Sequence, residues 1–162
     1  MTLECRQGNF EDAKIIRTAV FMEEQGFQNE FEPLDEDSHT IHVTGYLDGQ
    51  LVACARTFPV PEQEEASRLG CPFLPSAEDA YDADACLWVF GRLATLPAAR
   101  GCGVGTQILA ASEAYARERG ADEMHLHAQC DKAGFYEKAG YSAYGEIEMD
   151  EHVPHQWMRK RL

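Results

Sequence analysis

Residues 92–106 read Arg-Leu-Ala-Thr-Leu-Pro-Ala-Ala-Arg-Gly-Cys-Gly-Val-Gly-Thr, and no other stretch restricts the fold as strongly. An apolar run passes through Pro97 and Arg100 into Gly101, Gly103 and Gly105, and an amphipathic segment follows. This order predicts a strand, a glycine turn and a helix over 103–119. The glycines permit positive φ and close approach to the main chain. A helix N-terminus adds unpaired N–H groups and partial positive charge, so the turn suits a phosphate or pyrophosphate. A tight structural turn would use the same residues.

Two phosphate motifs are excluded. A Walker A loop needs Lys-Ser/Thr after its last glycine, and no lysine follows here. A dinucleotide fingerprint counted from Gly101 and Gly103 needs a third glycine where Thr106 stands. What remains is Arg100-x-x-Gly103-x-Gly105.

The elements around the turn follow from periodicity. Residues 2–7 predict a strand, and Asn9 caps a helix over 10–25 with Asp12 in a capping-box role and Gly26 as its stop. Acidic residues 28–38, with Pro33, predict a loop or short helix. Strands at 40–47 and 51–58 flank Asp48-Gly49, a hairpin signal. The prolines and acidic runs of 59–85 predict a long loop insertion with one helical turn near 64–69. A central strand over 87–96 then leads to the 103–119 helix, whose apolar stripe is Val104, Ile108, Ala111 and Tyr115. A strand at 124–128, a short helix from Asp131 to Gly140, and strands at 141–147 and 155–161 complete a single α/β domain with a mixed sheet.

Composition narrows the function classes. The 162 residues suit one core, and no apolar run is long enough to span a membrane. The first residues lack a secretory pattern, which makes the cytoplasm the expected location. Six scattered cysteines form no Cys-x-x-Cys pair, and six histidines lack an organising ligand spacing, so no metal is expected. A net charge of −14 argues against nucleic acid as a partner. It favours approach of a cationic amine, although acid excess equally serves solubility.

With its flanking elements, Arg100-x-x-Gly103-x-Gly105 resembles the acetyl-CoA signature of the GNAT superfamily of N-acetyltransferases. The segment Phe135-Tyr136-Glu137-Lys138-Ala139-Gly140-Tyr141 is similar to that superfamily's later Phe-Tyr-x-x-x-Gly-Phe/Tyr motif. Val20–Gly26, Gly91-Arg92-Leu93, Ala128-Gln129 and Val153-Pro154-His155 resemble the ElaA-like branch. The resemblance covers nearly the whole chain and is weakest over 59–85. It implies a GNAT fold with a splayed central strand, acetyl-CoA as cosubstrate, an amine acceptor and, as is common in the superfamily, a homodimer.

The resemblance also implies roles. The pyrophosphate of acetyl-CoA would lie on the N–H groups of Gly101, Cys102, Gly103, Val104, Gly105 and Thr106, beside Arg100. The pantetheine arm would run along the backbone edge of Leu93, Ala94 and Thr95. Tyr136 would be the general acid that protonates the departing thiolate, and a phenol near pKa 10 holds its proton at neutral pH. Many members place a catalytic Glu on the central strand; no acid lies between Leu87 and Leu96, and Gly91 stands there instead. Glu24 is the first choice of base, with His127, His42 and bulk water as alternatives. Gln25, His127, Gln129 and His155 would line the acceptor side. Cys102, at a helix start, has the setting of a reactive thiol but equally offers only its amide.

Two other readings compete. Arg17, Val20-Phe21 and the acidic 32–37 stretch resemble acyl-homoserine-lactone synthases. A non-catalytic acyl-CoA-binding module would also retain the phosphate turn.

Overall fold

The computed structural model describes residues 2–71 and 73–162. One seven-stranded sheet organises the chain, in the order β1-β2-β3-β4-β5-β7-β6. The strands are β1 (Leu3–Gly8), β2 (Ile41–Leu47), β3 (Gln50–Pro59), β4 (Leu87–Thr95), β5 (Glu123–Gln129), β6 (Ser142–Asp150) and β7 (Val153–Arg161). Among the described residues only β4 and β5 run parallel, as expected where a helix forms the crossover. The β2–β3 hairpin turns at Asp48 and Gly49, which adopt φ of 50° and 82°, the left-handed pair that twists with its strands.

β4 and β5 pair only from Leu87↔Glu123 to Phe90↔Leu126. Beyond Phe90, β4 continues on β3, and beyond Leu126, β5 continues on β7. The sheet therefore splits at its centre. A bulge starts the split: Arg56 faces Gly91 and Cys54 faces Ala94, so β4 carries one extra residue. Arg92 sits in that bulge at φ 51°.

Helix α3 (Val104–Glu118) is the crossover and covers one face of the sheet. Its Val104, Ile108, Leu109 and Ala116 are buried with Val43, Ala55, Phe90, Met124 and Leu126. Each of the Val, Ile, Leu, Phe and Met side chains among them contributes about 1.5–3 kcal/mol. The buried stripe lies slightly off the expected one. Ala111 and Tyr115 are half-buried, and Ser112 and Glu113 take the central positions. Ser112 donates to the Ile108 carbonyl, while Glu113 receives the Tyr141 hydroxyl at 2.7 Å and Lys160 at 3.0 Å. Helix α4 (Ala133–Lys138) packs near the end of β5.

The opposite face is covered by α1 (Phe10–Arg17), whose Ala13 and Ile16 pack with Cys54 and Ala94. Asn9 caps it by accepting from the Asp12 N–H at 2.8 Å. The Asp12 carboxylate does not return the bond; it accepts from the Tyr46 hydroxyl at 3.0 Å. The helix expected through residue 25 stops being α-helical at Arg17 and becomes a π-helix over Thr18–Glu24. Gln25 N–H bonds the Val20 carbonyl, five residues back, at 3.0 Å. Such widened turns often lie at functional sites.

The 59–85 excursion contains α2 (Gln63–Arg68). It is tied down after α2, by Leu34 N–H to the Leu69 carbonyl, and near its far end, by Tyr81 and Asp82 N–H groups to the Glu123 carboxylate. Pro72, within it, lies outside the described residues. Among the described residues no helix is long and apolar enough to cross a membrane.

Candidate active site

The split between β4 and β5 opens into a cleft of about 890 Å³. One end is the turn between β4 and α3. Arg100 N–H bonds the Pro97 carbonyl at 3.2 Å, closing a short 3-10 turn over Pro97–Ala99. Gly101 and Gly103 follow at φ 81° and 80°, and a Cβ on either would meet nothing within 4 Å. Their backbone conformation requires glycine, and the space above them is open. No side chain caps α3, whose first intrahelical bond is Gln107 N–H to the Gly103 carbonyl. The amides of Val104, Gly105 and Thr106 thus lie in the orphan turn of the helix. A Cβ on Gly105 would stand 3.4 Å from the Phe135 ring, so this glycine also permits α4 to approach.

The long wall is the free edge of β4. Leu96 N–H bonds the Val52 carbonyl on β3 at 2.8 Å. Strand alternation then directs the Leu93 and Thr95 backbone groups away from β3, into the split. Leu93, Ala94 and Thr95 all line the cleft.

Tyr136 stands where the split begins. Its ring meets Phe90, the last residue of β4 paired with β5, edge-on at 6.4 Å, and packs on Phe135 at 5.0 Å. It belongs to the core and still lines the cleft. Burial pushes its phenol well above the usual value and so keeps it protonated.

The β5 side carries His127, Gln129 and, from β7, His155. Gln129 donates to Gln25 at 2.9 Å, joining β5 to the end of the π-helix. His127 stacks on Trp157 at 4.9 Å and lies 5.0 Å from His155. Burial, then the His155 charge, lowers its pKa below the ordinary 6.5. Its Nε2 is buried without a hydrogen bond, with Glu148 Oε1 at 3.7 Å. The shift favours the neutral imidazole of His127, and one buried ring nitrogen is left without a partner.

Glu24 occupies a different setting from that of a free base. It forms a fork with Arg100, Oε2–Nη1 2.7 Å and Oε1–Nη2 2.6 Å. The Arg100 hydrogen bonds lower its pKa, so it accepts a proton less readily. Arg100 Nε bonds the Thr95 carbonyl at 2.9 Å, which fixes the guanidinium at the turn. His42 is remote from the cleft lining: its Nε2 bonds the Asp35 carbonyl at 2.8 Å and its ring stacks on Phe10. Cys102 points away, its Sγ 2.9 Å from the Ala99 carbonyl. The side chains or backbones of Glu24, Gln25, Arg100, Gly101, Gly103, Val104, Gly105 and Thr106 do line the cleft. His125, which shares a sheet face with His127, is structural, bonded to Glu123 and Tyr144. Among the described residues no three His, Cys, Asp or Glu side chains converge as a metal site.

Sequence reasoning missed a buried charge cluster against the same cleft. Arg17 holds Glu30 at 2.7 Å and Asp35 at 2.6 Å, Arg56 holds Glu32 and Asp35 at 2.8 and 2.9 Å, and Arg92 reaches Glu30 at 3.1 Å. Its members lie far apart in sequence, so no local spacing announces it. The acidic 28–38 segment was its one visible trace.

The Acetyltransferase (GNAT) family model matches residues 10–141, which include the glycine turn, the split strand and Tyr136. The chain belongs to the GNAT acetyltransferase family. A Bacillus subtilis protein that carries the acetyltransferase name is 31% identical over 151 residues, covering 90% of this chain and 85% of its relative. Escherichia coli ElaA shares the GNAT fold at 22% identity and TM-score 0.74, covering 98% of this chain and 99% of its own. The CoA-dependent acyl-homoserine lactone synthase BjaI has the fold at 14% identity and TM-score 0.71, covering 94% and 75%. At that identity the likeness concerns fold alone. Membership implies acyl transfer from an acyl-CoA to an acceptor, and the splayed GNAT sheet supplies the cleft between them.

Proposed function

We propose that this GNAT protein transfers an acetyl group from acetyl-CoA to the neutral amine of a small acceptor by direct attack. One observation carries the reading. The uncapped start of α3, with Gly101 and Gly103 in left-handed conformation, opens into the same cleft as the unpaired edge of β4. The amides of 101–106 would hold the pyrophosphate, with Arg100 adding a charge-assisted contact. The free backbone of Leu93 and the Thr95 N–H would pair with the pantetheine amides, the Thr95 carbonyl being held by Arg100. A thioester at the split would then lie between Tyr136 and His127.

The chemistry balances with these groups. The amine nitrogen attacks the thioester carbonyl, and a β4 backbone N–H stabilises the oxyanion. His127, which lines the cleft and has a lowered pKa, takes the proton the amine loses. As the carbon–sulfur bond breaks, Tyr136 donates its proton to the thiolate. Glu24 serves the donor end through Arg100 rather than acting as base. Assignment to the ElaA-like branch is part of this proposal; it is supported by the whole-chain likeness to ElaA and by the matches at 20–26, 91–93, 128–129 and 153–155.

The test combines two measurements on the purified protein. Acetyl-CoA should raise its melting temperature, and free thiol should appear only when an amine is supplied. Stabilisation without turnover on any amine would convert the reading to a binding module. No response to acetyl-CoA in either measurement removes it.

A further inference from the structure

The acceptor half of the cleft contains a pair of arginines that the acetyl-donor site does not use. Arg56 and Arg92 both line it. Arg56 is nearly buried, with a side chain 5% exposed, while that of Arg92 is 26% exposed. Their partners engage only part of each guanidinium, which has five N–H donors in a fixed fork. Arg56 uses Nη1 for Glu32 and Asp35, and its Nε is buried without a hydrogen bond. Arg92 directs Nη2 toward the Glu30 carbonyl at 3.5 Å, and its Nε, although 3.1 Å from Glu30 Oε2, lacks hydrogen-bond alignment. Buried donors left in this state are uncommon in native proteins and point to a missing partner.

The backbone supports the same conclusion. Arg92 holds φ 51° in the β4 bulge, a conformation a long side chain rarely adopts. The bulge turns Arg92 to the face where Glu30 lies. Val89 and His125 stand opposite one another before the split, and His127 is two residues further along β5, on that face. Arg92 and His127 therefore flank the opening from its two strands.

We propose that this site takes an amino acid with an apolar side chain, gripping the carboxylate through Arg92 and Arg56 while its amine faces His127. The inference rests on the acetyl-transfer reading and adds the acceptor to it. Charge balance favours binding as the zwitterion, whose ammonium gives its proton to His127 before the neutral amine attacks; the second nitrogen proton leaves as Tyr136 protonates the thiolate. Arg17, Arg56 and Arg92 are matched by Glu30, Glu32 and Asp35, so the cluster tolerates a ligand without net charge better than a lone anion. The apolar specificity comes from the wall beside the arginines, formed by Phe58, Val89, Leu74 and Trp157, with Phe73 exposed at its rim.

The experiment compares matched acceptors on the native protein. Phenylalanine is set against phenethylamine and phenylalaninamide, and leucine against 3-methylbutylamine, with CoA release from acetyl-CoA as readout. The carboxylate-bearing member should have a kcat/KM at least about tenfold higher, as expected where buried donors would otherwise stay unpaired. Arg92→Gln should abolish that preference by raising the amino-acid KM, with the KM for acetyl-CoA unchanged. Arg92→Lys, which keeps a cation beside Glu30, should fold as the parent does and retain part of the preference. Equal rates within each pair, or a preference that survives Arg92→Gln, overturns the inference. Stabilisation by acetyl-CoA with no acetylation of any member also overturns it while leaving the donor site standing. Absence of acetyl-CoA binding removes both.

Discussion

Glu24 and Arg100 meet in a two-pronged ion pair, Oε1–Nη2 2.6 Å and Oε2–Nη1 2.7 Å, at the mouth of the glycine turn. The widened helical turn that ends at Glu24 brings this carboxylate to the arginine across 76 residues of sequence. Both side chains are 41% exposed, so the pair is a surface contact that an incoming anion can rearrange. In the proposed donor site, Glu24→Gln removes a negative charge that would compete with pyrophosphate for Arg100. The KM for acetyl-CoA should fall about threefold, more at low salt, with kcat retained. A collapse of kcat would instead restore Glu24 as the base. Initial-rate kinetics at two ionic strengths distinguish the outcomes.

Gly105→Glu should lose acetyl-CoA binding. The new side chain meets the Phe135 ring from its first carbon and adds a charge at the helix start. Titration by calorimetry should show affinity reduced by at least about a hundredfold, while circular dichroism stays that of the parent. Unaltered affinity would remove the basis for placing the pyrophosphate there.

Tyr136→Phe deletes one hydroxyl and keeps the ring that packs on Phe90, Phe135 and Tyr141. Stability should therefore change little. The kcat should drop about a hundredfold with the KM for acetyl-CoA preserved, the signature of a lost proton donor. Full activity in the variant would retire the acid role.

With His127 as the proposed base, its titration sets the acid limb of the rate profile. Burial lowers its pKa below 6.5, so the neutral, proton-accepting form is the majority form at pH 7 and is lost as pH falls through the lowered value. In His127→Gln that limb should disappear and kcat should fall by about a hundredfold. A pH–rate profile of both proteins reads this directly.

Asp35 contributes stability that acid removes. The hydrogen bond from Arg17 and the charges of Arg56 and Arg17 outweigh burial and hold its carboxyl at about 2, below its ordinary 3.8. The contribution, about 2 kcal/mol, is fully present above pH 4 and disappears as pH falls through 2. Asp35→Asn leaves two buried arginines under-neutralised and should cost about 3–5 kcal/mol at pH 7 in denaturant unfolding. The mutant should also lose this part of the parent's acid sensitivity.

The sequence by itself determined the linear parts of this protein. Strand and helix periodicity, the Asp48-Gly49 turn, the Asn9 cap and the 101–105 glycines all act between neighbours in the chain, so their spacing was enough to place them. The helix over 10–25 was misread in one respect, because periodicity does not distinguish an α-turn from the π-turn that tertiary packing imposes at Thr18–Glu24. Everything that joins distant segments was decided by the tertiary structure. The split depends on β4 and β5 choosing different partners after Phe90 and Leu126. The Glu24–Arg100 fork, the unused nitrogen of His127 and the Arg17–Asp35–Arg56–Arg92 cluster each require side chains brought together from separate elements. Charge and solvation depend on three-dimensional surroundings, and a residue's neighbours in sequence are rarely the ones that set its pKa or complete its hydrogen bonds.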